Sequence, residues 1–173
     1  MNEIKTKNLL IKPFTKTNIT KKYISWLNNK EVTKFSEQRH YFHTKQSCLE
    51  FYNNLRKKKY PYYAIFINKS KKQHIGNLVA YIDYNNLTAN LTILIGERSY
   101  WGQGYGLEAW NKFMLFLFKE YNLRKVWAGT VSNNNGMLKI MAKSGMVKDG
   151  VRKKQRFIDN KELDIIYSAK FSS

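Results

Sequence analysis

Cysteine, proline and long apolar runs are scarce in this chain of 173 residues. The single cysteine, Cys48, cannot form a disulfide within the chain, so a small secreted scaffold held together by disulfides is excluded. No apolar run exceeds six residues, whereas a helix needs about 20 to span a bilayer. Residues 1–14 lack the long apolar segment of a secretory signal. We therefore expect a cytoplasmic protein without a membrane partner.

Acidic residues are also few, since 12 Asp and Glu stand against 31 Lys and Arg, which gives a formal net charge of +19. Such an excess suggests an acidic partner. The basic runs at 56–59, 69–72 and 152–154 are short, however, and spread along the chain. Scattered charge is typical of a solvated basic surface, so we do not expect nucleic acid as the partner. A nucleic-acid-binding module is the alternative from another class of protein.

The length and the 43% of hydrophobic residues suit one globular domain, 1–173. Apolar periodicity and turn residues predict the order of its elements. The predicted strands are 9–14, 62–68, 74–82, 89–95 and 125–131, followed by a closing hairpin of 146–157 with 162–171. The predicted helices are 18–27, 44–57, 107–121 and a short helix that follows Asn135 and ends near Ser144. The segment 31–43 is predicted to be irregular.

Histidine is as sparse as cysteine. His40, His43 and His74 with one distant cysteine match none of the usual ligand spacings. We therefore expect no metal cofactor.

Three glycines at alternate positions, Gly102, Gly104 and Gly106, lie between a predicted strand and a predicted helix. Backbone amides at such a helix start can receive an anion such as a phosphate. Glycines also permit tight turns without any ligand, so the spacing alone leaves both interpretations open. The loop lacks the Gly-Lys-Ser/Thr ending of a Walker loop and the glycine spacing of a dinucleotide fingerprint. Both of those nucleotide sites are excluded.

Three segments carry the most specific pattern in the sequence: the strand 90–95, the loop Trp101-Gly102-Gln103-Gly104-Tyr105-Gly106, and Asn134 followed by Lys143-Ser144-Gly145-Met146. Together they resemble the acetyl-CoA site of GNAT-superfamily N-acetyltransferases, and the resemblance covers nearly the whole chain. Trp101 stands where the family usually has Gln or Arg, a departure common in the branch that resembles ribosomal-protein acetyltransferases.

The resemblance implies an α/β fold with a mixed, mostly antiparallel and splayed sheet flanked by helices. It also implies acetyl-CoA as co-substrate, with its pyrophosphate on the loop amides and its pantetheine arm between the strands 89–95 and 125–131, which should part. The implied cofactor-binding residues are Leu94, Ile95, Trp101, Gly102, Gln103, Gly104, Tyr105, Gly106 and Asn134.

Acetyl transfer to an amine needs an acceptor for the proton that the amine loses. In the family a Glu on the fourth strand and a Tyr in the short helix often do the acid-base work, and the corresponding positions here are Asn90 and Met141. The segment 37–43 is rich in titratable side chains, and histidine exchanges protons near neutrality, so His40 is the preferred base. Glu37 and Glu97, acting through water, are the alternatives.

The segment from Trp26 to Thr44 resembles acetyltransferases that modify nucleotide-linked amino sugars in surface-polysaccharide pathways. Arg39 could hold a diphosphate and Tyr41 could stack on a base or sugar. We therefore expect an amine acceptor of this kind. Acetylation of a protein N-terminus is the second enzymatic hypothesis, and a non-catalytic acetyl-CoA sensor is a third. A homodimer is compatible with the sequence, which does not define the oligomeric state.

Overall fold

The computed structural model describes residues 2–68 and 72–172. Part of the basic run 69–72 and of the predicted turn at 68–73 lies outside the described residues. The described helices are α1 (Lys21–Leu27), α2 (Lys30–Thr33), α3 (Lys45–Lys57), α4 (Tyr105–Tyr121) and α5 (Asn135–Lys143), with 3-10 helices at Lys16–Asn18, Glu37–His40 and Arg98–Tyr100. The described strands are β1 (Ile4–Lys5), β2 (Leu9–Pro13), β3 (Tyr62–Ile67), β4 (His74–Asp83), β5 (Thr88–Ile95), β6 (Lys125–Val131), β7 (Val147–Ile158) and β8 (Lys161–Phe171).

Within the described residues the strands form one eight-stranded sheet in the order β1-β2-β3-β4-β5-β6-β8-β7. Every neighbouring pair is antiparallel except β5 with β6, which is parallel. The parallel pair is joined only over residues 88–90 and 125–127. Beyond these positions the two strands separate, which confirms the predicted mostly antiparallel sheet and its parting strands. We call the space between residues 91–95 of β5 and 128–131 of β6 the gap.

Helices cover both faces of the sheet. On one face, Leu91 of β5 and Val126 of β6 pack in a buried apolar cluster with Trp110 and Phe113 of α4. On the other face, Val79 of β4 packs with buried residues of α1 and α3. Because successive strand residues point to opposite faces, the positions that alternate with Leu91 and Val126 belong to this second surface. We call the two surfaces the α4 face and the α1 face.

The first helical region differs from its prediction. A helix is predicted at 18–27, whereas the chain forms a 3-10 helix at Lys16–Asn18 and begins α1 only at Lys21. Thr20 separates the two because its side-chain oxygen accepts a hydrogen bond from the Tyr23 N–H at 3.1 Å. The segment 31–43 also contains most of α2, which begins at Lys30, and the 3-10 helix Glu37–His40, so the prediction of an irregular segment is wrong in part.

The closing hairpin turns at Asp159 and Asn160, as predicted. Both residues have positive φ, +51° and +58°, which is the backbone that a two-residue turn between antiparallel strands requires. The hairpin is held to the segment that follows α1 by two ion pairs. Arg156 Nε lies 3.3 Å from Glu37 Oε1, and Lys34 Nζ lies 3.6 Å from Asp159 Oδ2. The hairpin and residues 34–40 therefore stand together above the α1 face.

None of the helices in residues 2–68 and 72–172 has the length and apolar character that crossing a membrane requires.

Candidate active site

Main-chain groups of β5 point into the gap. The Gly96 N–H donates to the Ile75 carbonyl oxygen at 2.9 Å. In an antiparallel ladder, every second residue forms hydrogen bonds with the same partner strand. Because Gly96 bonds to β4, Leu94, two residues earlier, also directs its peptide groups to β4 rather than into the gap. The residues that direct their peptide groups into the gap are Leu91, Ile93 and Ile95. An extended ligand with its own amide groups could pair with them, and the predicted role of Ile95 is compatible with this direction.

The loop before α4 offers a run of backbone donors. From Gly102 to Leu107, no N–H group donates to a backbone carbonyl of the described residues, and the first such bond at α4 is from Glu108 to Gly104 at 3.0 Å. These six amides lie where the positive end of the helix dipole adds to their attraction for an anion. The arrangement suits a phosphate-bearing ligand.

Two glycines keep this run of amides open. Gly102 and Gly104 have φ of +72° and +86°, a conformation that side chains disfavour, and a Cβ at either position would meet no atom within 4 Å. Their conformation, rather than crowding, therefore requires glycine. Gly106 differs, because its Cβ would lie 3.2 Å from Ile140 Cδ1, where α4 and α5 approach each other. The open space above Gly102 and Gly104 can accommodate a ligand.

Side chains of the loop fix its shape. Trp101 donates its indole N–H to the Ile95 carbonyl oxygen at 2.7 Å, and the Gln103 amide donates to the Ser99 carbonyl oxygen at 2.5 Å. Tyr105 packs its ring edge against Tyr100, with centroids 5.6 Å apart. The predicted cofactor roles of Trp101, Gln103 and Tyr105 are thus compatible with positions at the loop, where they shape the backbone.

Asn134 lies across the gap from the loop, at the start of α5. Its Oδ1 accepts from the Met137 N–H at 3.2 Å, and its Nδ2 donates to Thr130 Oγ1 at 3.0 Å. The side chain therefore caps α5 and ties the helix to β6. Its implied contact with the pantetheine arm stays a prediction.

A pocket of about 370 Å³ opens on the α1 face beside the paired end of the gap, and we call it the hairpin pocket. Trp127 and Tyr167 lie in it with ring centroids 5.9 Å apart. Lys125 Nζ is paired with Asp149 Oδ2 at 2.7 Å, and the Arg152 guanidinium lies 5.4 Å from the Tyr167 ring centre. The pocket combines aromatic surface with an excess of positive charge.

Sequence reasoning did not assign the residues of the hairpin pocket to a site. Gly129 offered a signal, because a glycine inside a strand often marks a close approach of another group. A Cβ at Gly129 would lie 2.6 Å from Cε1 of Tyr167, its partner across the strands. Glycine therefore makes room for the Tyr167 ring.

The three candidate bases differ in their surroundings. Glu37 Oε1 accepts from the Arg39 guanidinium at 2.9 Å and also faces Arg156, so it holds two elements together. Glu97 lies two residues after the end of β5, at the loop end of the gap, where it is paired with Lys22. His40 is exposed at the end of its 3-10 helix. The structure thus brings Glu37 and His40 together in one short helix and places Glu97 elsewhere.

The two predicted acceptor-binding residues are also unlike each other. Arg39 is largely buried and donates to the Ser36 carbonyl oxygen at 2.8 Å as well as to Glu37, so its charge is already engaged. Tyr41 is 67% exposed and is free to contact a ligand. A diphosphate role for Arg39 would require these bonds to rearrange.

The two positions that lack the usual acid and base lie on opposite faces. Asn90 is at the last paired position of β5 and its side-chain amide lies 3.4 Å from the Trp127 carbonyl oxygen. Met141 is buried in the apolar cluster of the α4 face. Neither side chain can exchange a proton.

His74 forms a second titratable site, under α1. Its Nε2 lies 3.0 Å from the Gly76 carbonyl oxygen and 2.9 Å from Asn77 Oδ1, so this nitrogen carries the proton. The ring packs against Phe66 and Trp26 with centroids 5.1 and 5.0 Å away. Loss of solvent around the ring lowers the pKa of His74 below its ordinary value, although the two hydrogen bonds oppose this effect.

This lowered pKa predicts a loss of stability in mild acid. The unfolded chain takes up a proton on His74 below about pH 6.5, whereas the folded chain resists it, so the contribution is present above that pH and is lost below it. We expect the thermal unfolding midpoint to fall between about pH 7.5 and about pH 5.5, and to fall less in His74→Gln. Calorimetry checks this, with His43→Gln as control; equal falls in all three proteins would contradict it.

Comparison with known proteins identifies the family. The acetyltransferase (GNAT) domain family matches residues 8–147, so the chain belongs to the GNAT acetyltransferases. It is an acyltransferase of the N-acetyltransferase class, and GNAT acetyltransferases use acetyl-CoA as the acyl donor. A search of curated proteins finds no significant match.

Solved structures share the fold at low sequence identity. A GNAT-family acetyltransferase from Bacillus anthracis is 22% identical, with 98% of each chain covered and a TM-score of 0.82. Spermidine N-acetyltransferase from Vibrio cholerae, solved with CoA and spermine, is 17% identical, with 96% of each chain covered and a TM-score of 0.86. Ribosomal-protein-S5-alanine acetyltransferase from Vibrio fischeri is 19% identical, with a TM-score of 0.79. The match covers 99% of the present chain and 97% of the Vibrio fischeri chain.

The residues present fit acetyl-CoA. The amides from Gly102 to Leu107 suit its phosphates, and the peptide groups of Leu91 and Ile93, with the N–H of Ile95, suit an extended arm that carries amides. The co-substrate supplies an acetyl group activated as a thioester. The chain's own contribution would be to hold this group in the gap, near the hairpin pocket.

Proposed function

We propose that the protein transfers the acetyl group of acetyl-CoA to a primary amine on a negatively charged acceptor, with a nucleotide-linked amino sugar as the first candidate. The acceptor lies in the hairpin pocket, which residues of β6, β7 and β8 line. The amine points to the gap and the anionic part lies toward Arg152. The co-substrate lies with its pyrophosphate on the loop from Gly102 to Gly106.

The charge of the hairpin pocket is the observation that carries this proposal. None of the eight ion pairs among the described residues includes Arg152. The carboxylate of the pocket, Asp149, is already paired with Lys125. A phosphate or carboxylate on the acceptor can therefore pair with Arg152 in a charge-assisted contact. A polyamine would find a cation there instead, so a spermidine-like acceptor is disfavoured despite the similar fold.

Aromatic surface in the same pocket supports a ring-bearing acceptor. Trp127 and Tyr167 present half-buried rings beside Arg152, and exposed Tyr41 lies in the segment that is paired with the hairpin. Such rings stack on a base or on the apolar face of a sugar. Two ion pairs, Arg156–Glu37 and Lys34–Asp159, join the outer part of the hairpin to residues 34–40.

A protein N-terminus is the second candidate acceptor. It is favoured by the shared fold with the ribosomal-protein-S5-alanine acetyltransferase. An acidic peptide would satisfy the same positive pocket, so the charge of Arg152 does not distinguish it from a nucleotide sugar. Direct comparison of the two kinds of substrate distinguishes them.

A thiol-release assay over a panel of amines tests the proposal. The panel holds nucleotide-linked amino sugars, the same free amino sugars, acidic and basic N-terminal peptides, and spermidine. We expect the highest kcat/KM with a nucleotide-linked amino sugar and a lower value with its uncharged counterpart. Faster turnover of peptides would establish the second candidate. Preference for spermidine would overturn the anionic acceptor, and no turnover of any amine would favour a non-catalytic acetyl-CoA sensor.

Reversal of the pocket charge should weaken acceptor binding. In Arg152→Glu we expect the KM for the best anionic acceptor to rise about 10- to 100-fold, since one hydrogen-bonded ion pair is lost. Binding of CoA should stay unchanged in calorimetry. Lys148→Glu is the matched control, because Lys148 is an exposed cation on the same strand that does not line the pocket. An equal effect of both variants would mean that overall charge, not the pocket, attracts the acceptor.

A further inference from the structure

We propose that a second pocket, under α1, binds a small aromatic carboxylate. Its volume is about 400 Å³, and we call it the α1 pocket. Its walls come from the 3-10 helix Lys16–Asn18, from α1, from β3 and from the start of β4. It shares no lining residue with the hairpin pocket, and none of its described lining residues belongs to the glycine loop. The inference therefore does not depend on the proposed function.

Three rings form an aromatic wall of the α1 pocket. The His74 ring lies nearly parallel to that of Phe66, with centroids 5.1 Å apart, and meets the Trp26 ring edge-on at 5.0 Å. A further ring, supplied by a ligand, would gain both buried area and aromatic contacts at this wall. The size and aromatic lining are those of a small-molecule site, and they favour a planar ligand.

Trp26 also carries a hydrogen-bond donor that the protein leaves unused. Only 5% of the residue is exposed, yet Trp101 is the one described tryptophan whose indole N–H donates to an acceptor. The Trp26 nitrogen is not sealed from open space, because the sealed polar side-chain atoms without a partner, among the described residues, belong to Tyr63 and Trp110. Buried donors nearly always have an acceptor. A free donor on a residue that lines a pocket therefore suits a ligand that carries an acceptor.

The charge of the α1 pocket selects an anion. Lys22 and Lys72 line it, and none of its described lining residues is acidic. Lys22 is paired with Glu97, but an ammonium group has three N–H bonds and can still donate to a ligand. Lys72 takes part in no ion pair of the described residues. One unengaged cation matches the single charge of a carboxylate better than the charge of a phosphate monoester, about −1.5 to −2.

Neighbouring elements fix the walls of the α1 pocket. The Tyr100 hydroxyl donates to Gln73 Oε1 at 3.0 Å, and the pair with Glu97 holds Lys22. Trp26 packs so closely over Gly96 that a Cβ there would collide with its ring. A pocket whose walls are already held loses little entropy when a ligand enters, which favours binding.

Three probes test the chemistry of the ligand by isothermal titration calorimetry. Indole-3-acetate has a ring and a carboxylate, tryptamine has the same ring with a cation, and acetate has the carboxylate without a ring. Saturating CoA occupies the gap and the glycine loop. We expect a dissociation constant below about 1 mM for indole-3-acetate and at least about tenfold weaker binding of the other two. No binding of indole-3-acetate, or equal binding of tryptamine, would overturn the proposal. If CoA itself does not bind, the proposed function fails, while titration of the CoA-free protein still tests the α1 pocket.

Matched charge reversals locate the bound probe. Lys72→Glu changes the α1 pocket, Arg152→Glu changes the hairpin pocket, and Lys21→Glu changes an exposed cation of α1 that lines neither. We expect the dissociation constant of indole-3-acetate to rise about fivefold in Lys72→Glu and to stay unchanged in the other two. Weaker binding in Arg152→Glu alone would place the probe in the hairpin pocket. An equal loss in Lys21→Glu would indicate overall charge, and either result refutes the α1 pocket as the site.

Proton NMR of the histidine rings gives a second readout. His74 is the histidine that lines the α1 pocket, whereas His40 and His43 lie elsewhere. An indole ring bound at the aromatic wall shifts the ring-proton signals of His74 and leaves those of His40 and His43 in place. The spectrum of His74→Gln, which lacks the His74 signals, assigns them. Unmoved His74 signals at saturating indole-3-acetate would refute the site.

Discussion

Gly104→Glu is expected to lower the affinity for acetyl-CoA at least about 100-fold, since like charges placed together at a binding site cost several kcal/mol. The new carboxylate would enter the open space over the loop, where the structure shows no atom within 4 Å of a Cβ. It would also compete for the free amides at the start of α4. Isothermal titration calorimetry of the folded variant measures the change.

Gly104→Ala is the matched control for this variant. It imposes the same unfavourable φ of +86° without a charge, so it separates backbone strain from repulsion. We expect a smaller loss of affinity and a lower unfolding midpoint in both variants. Equal affinities of the wild type and Gly104→Glu for acetyl-CoA would show that the pyrophosphate does not bind to this loop.

His40→Ala is expected to lower kcat about 10²- to 10⁴-fold, the usual contribution of a general base. The acidic limb of the pH profile should flatten, because the group that must lose its proton is gone. Binding of CoA should remain unchanged, since His40 lies in the 3-10 helix Glu37–His40 and not on the glycine loop. Steady-state kinetics across pH check the effect.

His43→Ala is the control for a merely structural role of this segment. His43 Nε2 lies 3.2 Å from the Gln38 carbonyl oxygen, so its loss loosens the same 3-10 helix without removing His40. A rate loss in His43→Ala as large as in His40→Ala would show that the shape of the segment matters rather than the imidazole. Full activity of His40→Ala would make water or another residue the base.

Elements with strong local signals were predictable from the sequence. The helix Lys45–Lys57 begins where Thr44 accepts from the Ser47 N–H, and the closing hairpin turns at the predicted Asp159 and Asn160. The short helices within 31–43 were missed because four residues are too few to show a helical period. Asn29 stabilises one of them by accepting from the Glu31 N–H at 2.9 Å, a local cap that outweighs weak periodicity.

The glycine loop and the hairpin pocket also differ in how far a local sequence pattern reveals them. The loop could be predicted because glycines at alternate positions define it and because it resembles a known family. The hairpin pocket could not, because it depends on the pairing of Gly129 with Tyr167 and of β7 with β8, which no local pattern reveals. Even the acid-base positions depend on such long-range contacts: Arg156 from the hairpin engages Glu37, one of the candidate bases.

The ligand groups that the gap and the loop offer are main-chain N–H and C=O, which nearly any residue supplies. We therefore expect substitutions on this side to be tolerated where they keep the positive φ of Gly102 and Gly104 and the loop contacts of Trp101 and Gln103. The proposed acceptor side consists of side chains of β6, of the hairpin and of the segment 34–41, which the pairs Arg156–Glu37 and Lys34–Asp159 join to the hairpin. These segments can exchange their chemistry without disturbing the donor half, so acceptor specificity is free to diverge through point mutations while the transferred group stays the same.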